Sequence, residues 1–174
     1  KTEAGFDVRA LPPSASRLDI DTPADVLALG LQLALPSHLR AALTEFLRLH
    51  PSAWYRYRAA ARTVFRPGSQ IVLAGRVASA VWAELEQHTQ SWMRVFSEER
   101  GMAASGRQAA GQARSLLAAH VDAVGIQRFF EELAGMAEAA FIDSRVILAH
   151  HQLWPSAADR YASDLGEFAE IENP

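Results

Sequence analysis

The chain has 174 residues, 49% of them hydrophobic and 21% charged, enough to bury a core as one domain or as one domain with an appendage. Its net charge of -3 gives no global drive toward nucleic acid or an anionic membrane, and no apolar run reaches the roughly 18 residues of a membrane span. With no cysteine, disulfides, thiolate zinc sites and cysteine nucleophiles are excluded, any metal must rest on Asp, Glu or His, and the composition is compatible with a cytoplasmic location.

Taken in chain order, residues 1–22 are expected to be extended or looped, with a strand ending near Asp19. Thr22 suits an N-cap, Pro23 the first helical position and Asp25 the positive helix end, so a helix is predicted from Pro23 to about Leu33. Pro36 interrupts, and Ser37 caps a second helix in which Leu39, Leu43, Phe46 and Leu47 share a face until Pro51. A third helix, "SAWYRYRAAARTVF", sets Trp54, Tyr57, Ala61 and Val64 on one side and Arg58, Arg62 and Arg66 on another. Arginines interleaved with aromatic rings can grip single-stranded nucleic acid, but the acidic balance of the whole chain argues against that partner.

After "RPGS" the pattern turns to α/β. "QIVLAG" predicts a buried strand, "VASAVWAELEQHT" an amphipathic helix and "SWMRVFS" a second strand. "EERGMAASGRQAAGQ" predicts a loop leading into the helix "ARSLLAAHVDAV", which Gly125 separates from "IQRFFEELAGMAE". "AAFIDSRVILAHH" is expected to form a third strand, and Ser156 caps a last helix. The expected fold is α/β: a helical N-terminal segment, then a small, mainly parallel sheet of three or four strands flanked by helices. Expected boundaries are 1–50 for the first unit, 51–67 for a connecting basic helix and 68–174 for the α/β unit.

Two clusters carry candidate chemistry. "RVFSEERGMAASGR" gathers Arg94, Glu98, Glu99, Arg100, Ser105 and Arg107 at and beyond the carboxyl end of a predicted strand, where ligands of open α/β sheets bind. Its arginines, Arg94, Arg100 and Arg107, with Ser105, would hold a phosphate or carboxylate; the plain alternative is a solvated loop with local ion pairs. In "FIDSRVILAHH", Asp143 and Arg145 would share one face of the expected strand, either paired or facing a site, with His150 and His151 at its end. Were the clusters to converge, Glu98, Asp143 and His150 would supply acid–base groups, and Arg145 would join the anion clamp.

"LDIDTPADVLAL", Leu18 to Leu29, resembles the late motif of nucleotidyltransferases of the molybdenum cofactor guanylyltransferase and phospholactate guanylyltransferase type. The resemblance implies Mg-dependent nucleotide transfer to a small phosphorylated or cofactor-like acceptor. It implies that Asp21 is a magnesium ligand, with Asp19 as a supporting neighbour. The same residues are also a good strand-to-helix cap in any α/β protein. That family's Gly-rich loop would lie upstream, and only twenty residues precede Asp21, so the chain is expected to be the C-terminal part of such a protein with an appended α/β unit. Two other readings are a stand-alone small-molecule (phosphate or carboxylate) binding module and a non-catalytic accessory or oligomerisation domain, the latter pairing the chain with further copies as a homo-oligomer.

Overall fold

The computed structural model describes residues 20–32 and 34–165, and is mixed α/β as expected. The strand predicted to end at Asp19, and Asp19 itself, lie outside the described residues. The elements run α1 (Pro23–Leu29), α2 (Ser37–Leu49), α3 (Pro51–Val64), β1 (Gln70–Gly75), α4 (Ser79–His88), β2 (Trp92–Ser97), α5 (Leu116–Val124), α6 (Ile126–Met136), β3 (Ala139–Ile142), α7 (Arg145–His150) and α8 (Ala157–Leu165).

At the start of α1, Asp25 turns back on Thr22: its carboxylate accepts from the Thr22 N–H at 2.8 Å and the Thr22 hydroxyl at 2.9 Å. The helix ends at Leu29, four residues earlier than predicted, and Gly30 follows it against the Trp54 ring of α3, where a Cβ would sit 3.0 Å from that ring. Ser156 and Asp159 form the same reciprocal cap before α8, as its sequence implies. Helix α1 packs on α3 and α8, and α3 reaches β3.

The three strands are parallel in the order β2-β1-β3, with Val72 opposite Arg94 on one side and Ala140 on the other. Being central, β1 is buried from Ile71 through Gly75, which its unbroken apolar run anticipates. Val72 and Ala74 pack with Phe129 and Leu133 of α6 on one face. Ile71 and Leu73 pack with Val64 of α3, Leu85 of α4, and Met93, Val95 and Phe141 of the flanking strands on the other. Helices therefore cover both faces. Strand β2 is an edge, and its alternate residues Trp92, Arg94 and Phe96 are exposed.

The third strand departs from expectation. It stops at Ile142, and Arg145–His150 is a helix rather than the rest of a strand through His151. Val146 and Ala149, three positions apart, are both buried with Met102 and Ala113 of the 98–115 loop. That contact suits helical spacing, and a strand would turn the two residues to opposite faces. The inference that Asp143 and Arg145 share a strand face is therefore corrected: they flank the turn into α7.

Candidate functional site

The chain leaves β1 for β2 by way of α4 on one face of the sheet, and enters β3 by way of α6 on the other. The carboxyl ends of β1 and β3 thus bound the crevice where the connections diverge, the place at which open α/β sheets take ligands. Gly75 makes the geometry there. It has φ +95°, and a Cβ would lie 2.1 Å from the Asp143 carbonyl oxygen, so only glycine lets the two strand ends approach this closely. Its own carbonyl accepts from the N–H groups of Val77 and Glu98, both at 2.8 Å, tying the ends of β1 and β2 together, while the Asp143 N–H donates to the Ala74 carbonyl at 2.9 Å and ties in β3.

Asp143, immediately after β3, stands between two arginines. Arg145 donates from Nε at 2.7 Å and from its backbone N–H at 3.1 Å, and Arg76, just beyond β1, donates from Nε at 3.2 Å. Burial by itself raises the Asp143 pKa, but the hydrogen bonds from Arg145 and the charges of both arginines outweigh it and hold the carboxyl below its ordinary range. The bond from Asp143 raises the Arg145 pKa in turn, with a further contribution from the charge of Asp25 on α1. The trio carries net positive charge. Arg76 is mostly covered at 21% side-chain exposure, whereas Arg145 is 65% exposed and presents unused donors to solvent. Helix α4 starts beside Arg76 with no side-chain cap at Ala78, so its first N–H groups also face outward at this edge.

Glu98, immediately after β2, is engaged differently. One carboxylate oxygen accepts from the Ser115 hydroxyl at 2.7 Å, and the other accepts from the N–H groups of Leu116 at 2.6 Å and Leu117 at 3.1 Å. It caps α5. Ser115 is 4% exposed, and its N–H donates to His150 Nδ1 at 3.1 Å. Glu98 and His150 are thus linked through Ser115, while Asp143 belongs to the arginine network across β1. The three predicted acid–base groups fall into two separate sets.

The predicted anion clamp is dispersed. Arg94 sits between Trp92 and Phe96 on the exposed edge, and neither it nor Arg100 bonds to any described residue. Arg107 pairs with Glu99 at 3.1 Å and donates to the Gln112 carbonyl, and the Ser105 hydroxyl donates to the Met102 carbonyl; both stay within their loop. Of the proposed anion-binding residues, Arg145 alone stands at the crevice. Its neighbour Arg76 was not singled out from sequence, although an arginine directly after a buried strand ending in glycine was the available signal.

Asp122 of α5 and His150 and His151 at the end of α7 bring three metal-ligand atoms within 4.8 Å of one another. The hydrogen bonding does not fit an ion. Because Ser115 N–H is a donor, Nδ1 of His150 must keep its lone pair, which leaves the neutral ring's proton on Nε2. Coordination through Nδ1 displaces that donor, and coordination through Nε2 demands an Nδ1–H pointing at it. What remains is His151 beside Asp122 at 3.4 Å. Asp21 is not part of any group of three such ligands among the described residues; its backbone N–H donates to Asp25 and its carbonyl accepts from Tyr161. No helix among the described residues is long and apolar enough to cross a membrane.

No protein family, curated protein or solved structure gives a significant match to the chain.

Proposed function

We propose that the α/β unit binds a small anionic ligand, through a phosphate or carboxylate group, at the crevice between the carboxyl ends of β1 and β3. The observation that carries this reading is the exposed guanidinium of Arg145, locked by Asp143 beside Arg76 where the sheet's connections diverge. Guanidinium groups match planar or tetrahedral oxyanions, and holding Arg145 in one geometry reduces the entropy lost on binding. The uncapped start of α4 adds backbone donors on the same edge.

The resemblance of "LDIDTPADVLAL" to the guanylyltransferases narrows this to a magnesium nucleotide, with the chain as the C-terminal part of a nucleotidyltransferase-like protein. Thr22 and Asp25 are consumed in the α1 cap, while the Asp21 carboxylate has no hydrogen bond among the described residues. A single carboxylate suits magnesium only when phosphates and water complete the shell.

A thermal-shift titration with phosphate, pyrophosphate, GTP and CTP, each with and without magnesium, tests both levels. A ligand bound only by the folded state raises the midpoint in proportion to the logarithm of its concentration. A metal-independent shift lost in Arg145→Ala is expected for the anion site, and a shift that needs both magnesium and Asp21 for the narrower reading. No shift with any of these ligands would sink both.

A further inference from the structure

Helix α3 has two unlike sides. On one, Val64 packs with Ile71 and Leu73 of β1, Ala53 is buried, and Trp54 and Tyr57 are half-buried. At about 100° per residue, Tyr55, Arg58, Ala59 and Arg62 fall on the other. With Thr63 and Arg66 they line an open groove of about 300 Å³. The helix carries no acidic residue. Arg66 pairs with Glu138, but neither Arg58 nor Arg62 has a hydrogen bond or ion pair with any described residue. Two such guanidinium groups four residues apart repel each other, and a bound anion relieves the repulsion.

Exposed aromatic rings stand at both ends of this stripe. Tyr55 is 76% exposed at its start, and Phe65, beside Arg66, is 65% exposed at its end. An acidic protein segment would engage the arginines and leave the rings idle, and a duplex keeps its base faces inside its own stack. A single strand offers phosphates to the arginines and base faces to the rings together. From Arg58 to Arg66 the helix path spans about 12 Å, which at roughly 3.4 Å per nucleotide of a stacked strand takes about three or four phosphates. The net charge of -3 weighs little at this range, because charges beyond about 8 Å are largely screened at physiological salt while contacting ones are not. Among the described residues, the acid that touches the stripe is Glu138, on Arg66.

We propose that this side of α3 binds single-stranded nucleic acid, with Arg58 and Arg62 on backbone phosphates and the rings of Tyr55 and Phe65 stacked on bases at either end. The stripe ends at Arg66 beside the amino ends of β1 and β3, where Glu138 also accepts the Gln70 N–H at 3.2 Å. The crevice lies at the carboxyl ends of the same strands, so this surface does not depend on the anion site proposed there.

Fluorescence anisotropy with a labelled oligodeoxythymidylate tests it on the intact chain, on Arg58→Gln/Arg62→Gln and on Tyr55→Ala/Phe65→Ala, with circular dichroism to confirm that each is folded. Two neutralised phosphates give a slope of about -1.4 for the logarithm of the association constant against that of salt, a loss of about seven-fold between about 50 and 200 mM. The arginine variant is expected to lose at least about ten-fold in affinity and to flatten that slope. The ring variant is expected to lose about ten-fold and to keep the slope. Arg145→Ala should bind like wild type, so a failure of the crevice reading leaves this one standing. No binding by the intact chain at low salt, or binding that survives the arginine replacements unchanged, would overturn the proposal. So would a loss caused by Arg145→Ala, which would place the strand in the crevice, and a duplex with oligodeoxyadenylate bound as tightly as the single strand. Oligoglutamate bound as tightly as the oligonucleotide, with an affinity untouched by the ring replacements, would assign the stripe to an acidic protein partner instead.

Discussion

Glu98 and Asp143 occupy equivalent positions, each immediately after a parallel strand and on either side of β1, yet their surroundings give them different work. Glu98 meets the start of α5, whose first N–H groups have no partner within the helix, and its oxygens are taken by Ser115, Leu116 and Leu117. Asp143 meets two arginines and locks one of them in an exposed position. Carboxylates at strand ends are candidates for chemistry by address. What decides between cap and site is whether a neighbouring helix start has already claimed their lone pairs.

The comparison depends on the tight closure of the edge, and the largest effect is expected there. Gly75→Val combines a φ of +95° with a Cβ that would overlap the Asp143 carbonyl. A loss of about 3 kcal/mol or more is expected, from backbone strain plus displacement of β3. Urea denaturation checks it; a midpoint within error of wild type would show that the two strand ends are not held against each other. Next comes Glu98→Ala, expected to cost about 1–2 kcal/mol as a lost helix cap, with Glu98→Gln between Glu98→Ala and wild type because one oxygen still accepts. If Glu98→Ala leaves stability unchanged but removes a ligand-induced shift, the division between cap and site is reversed.

Asp143→Asn sharpens the comparison through pH. The Asp143 pKa is lowered in the folded chain, so its ion pairs stabilise the fold fully above the unfolded value of about 4 and lose that contribution as pH falls through the lower folded value. The stability difference between wild type and Asp143→Asn should therefore be constant from neutral pH down to about 5 and shrink only toward and below pH 4. Chemical denaturation at a series of pH values measures it. A difference that shrinks instead between pH 6 and 8 would assign the effect to a histidine.

Much of this architecture was legible in the sequence because its elements are locally punctuated. Thr22-Pro23, Ser37, Ser156 and the glycine-ended run "QIVLAG" mark helix starts and a buried strand, and these elements formed there, although Ser37 is the first residue of α2 rather than its cap and α1 stops at Leu29. The misreading of α7 has a physical cause. "RVILAH" is short, apolar and rich in β-branched residues, and periodicity cannot separate a buried strand from a buried helix over six positions. The Asp143-Ser144 pair before it was the overlooked signal, since the Asp143 carboxylate accepts the Arg145 N–H. The site was legible only in part. Arg145 and Asp143 are neighbours in sequence, but Arg76 lies 67 positions from Asp143 and meets it only because β1 and β3 pair. Arg107 stood in a sequence cluster as promising as Arg145, and the turns of its loop folded it onto Glu99 and Gln112.

The smallest expected change in stability is also the most discriminating. Arg145→Ala removes an exposed guanidinium whose ion pair is screened by solvent, so it should cost less than about 1 kcal/mol, and Arg107→Ala should behave alike. The two differ in what they leave behind. Without Arg145, the crevice retains Arg76 bound to an Asp143 that is no longer shared, so local charge falls from positive to neutral and an anion loses the exposed guanidinium. Without Arg107, the crevice keeps its arginines and only a loop contact is lost. Pyrophosphate should therefore raise the midpoint of wild type and Arg107→Ala equally, and of Arg145→Ala little or not at all. If both variants respond like wild type, the anion is not held at the β1–β3 edge. If Arg107→Ala alone loses the response, the loop after β2 is the site and Asp143 fixes its arginines for structure only.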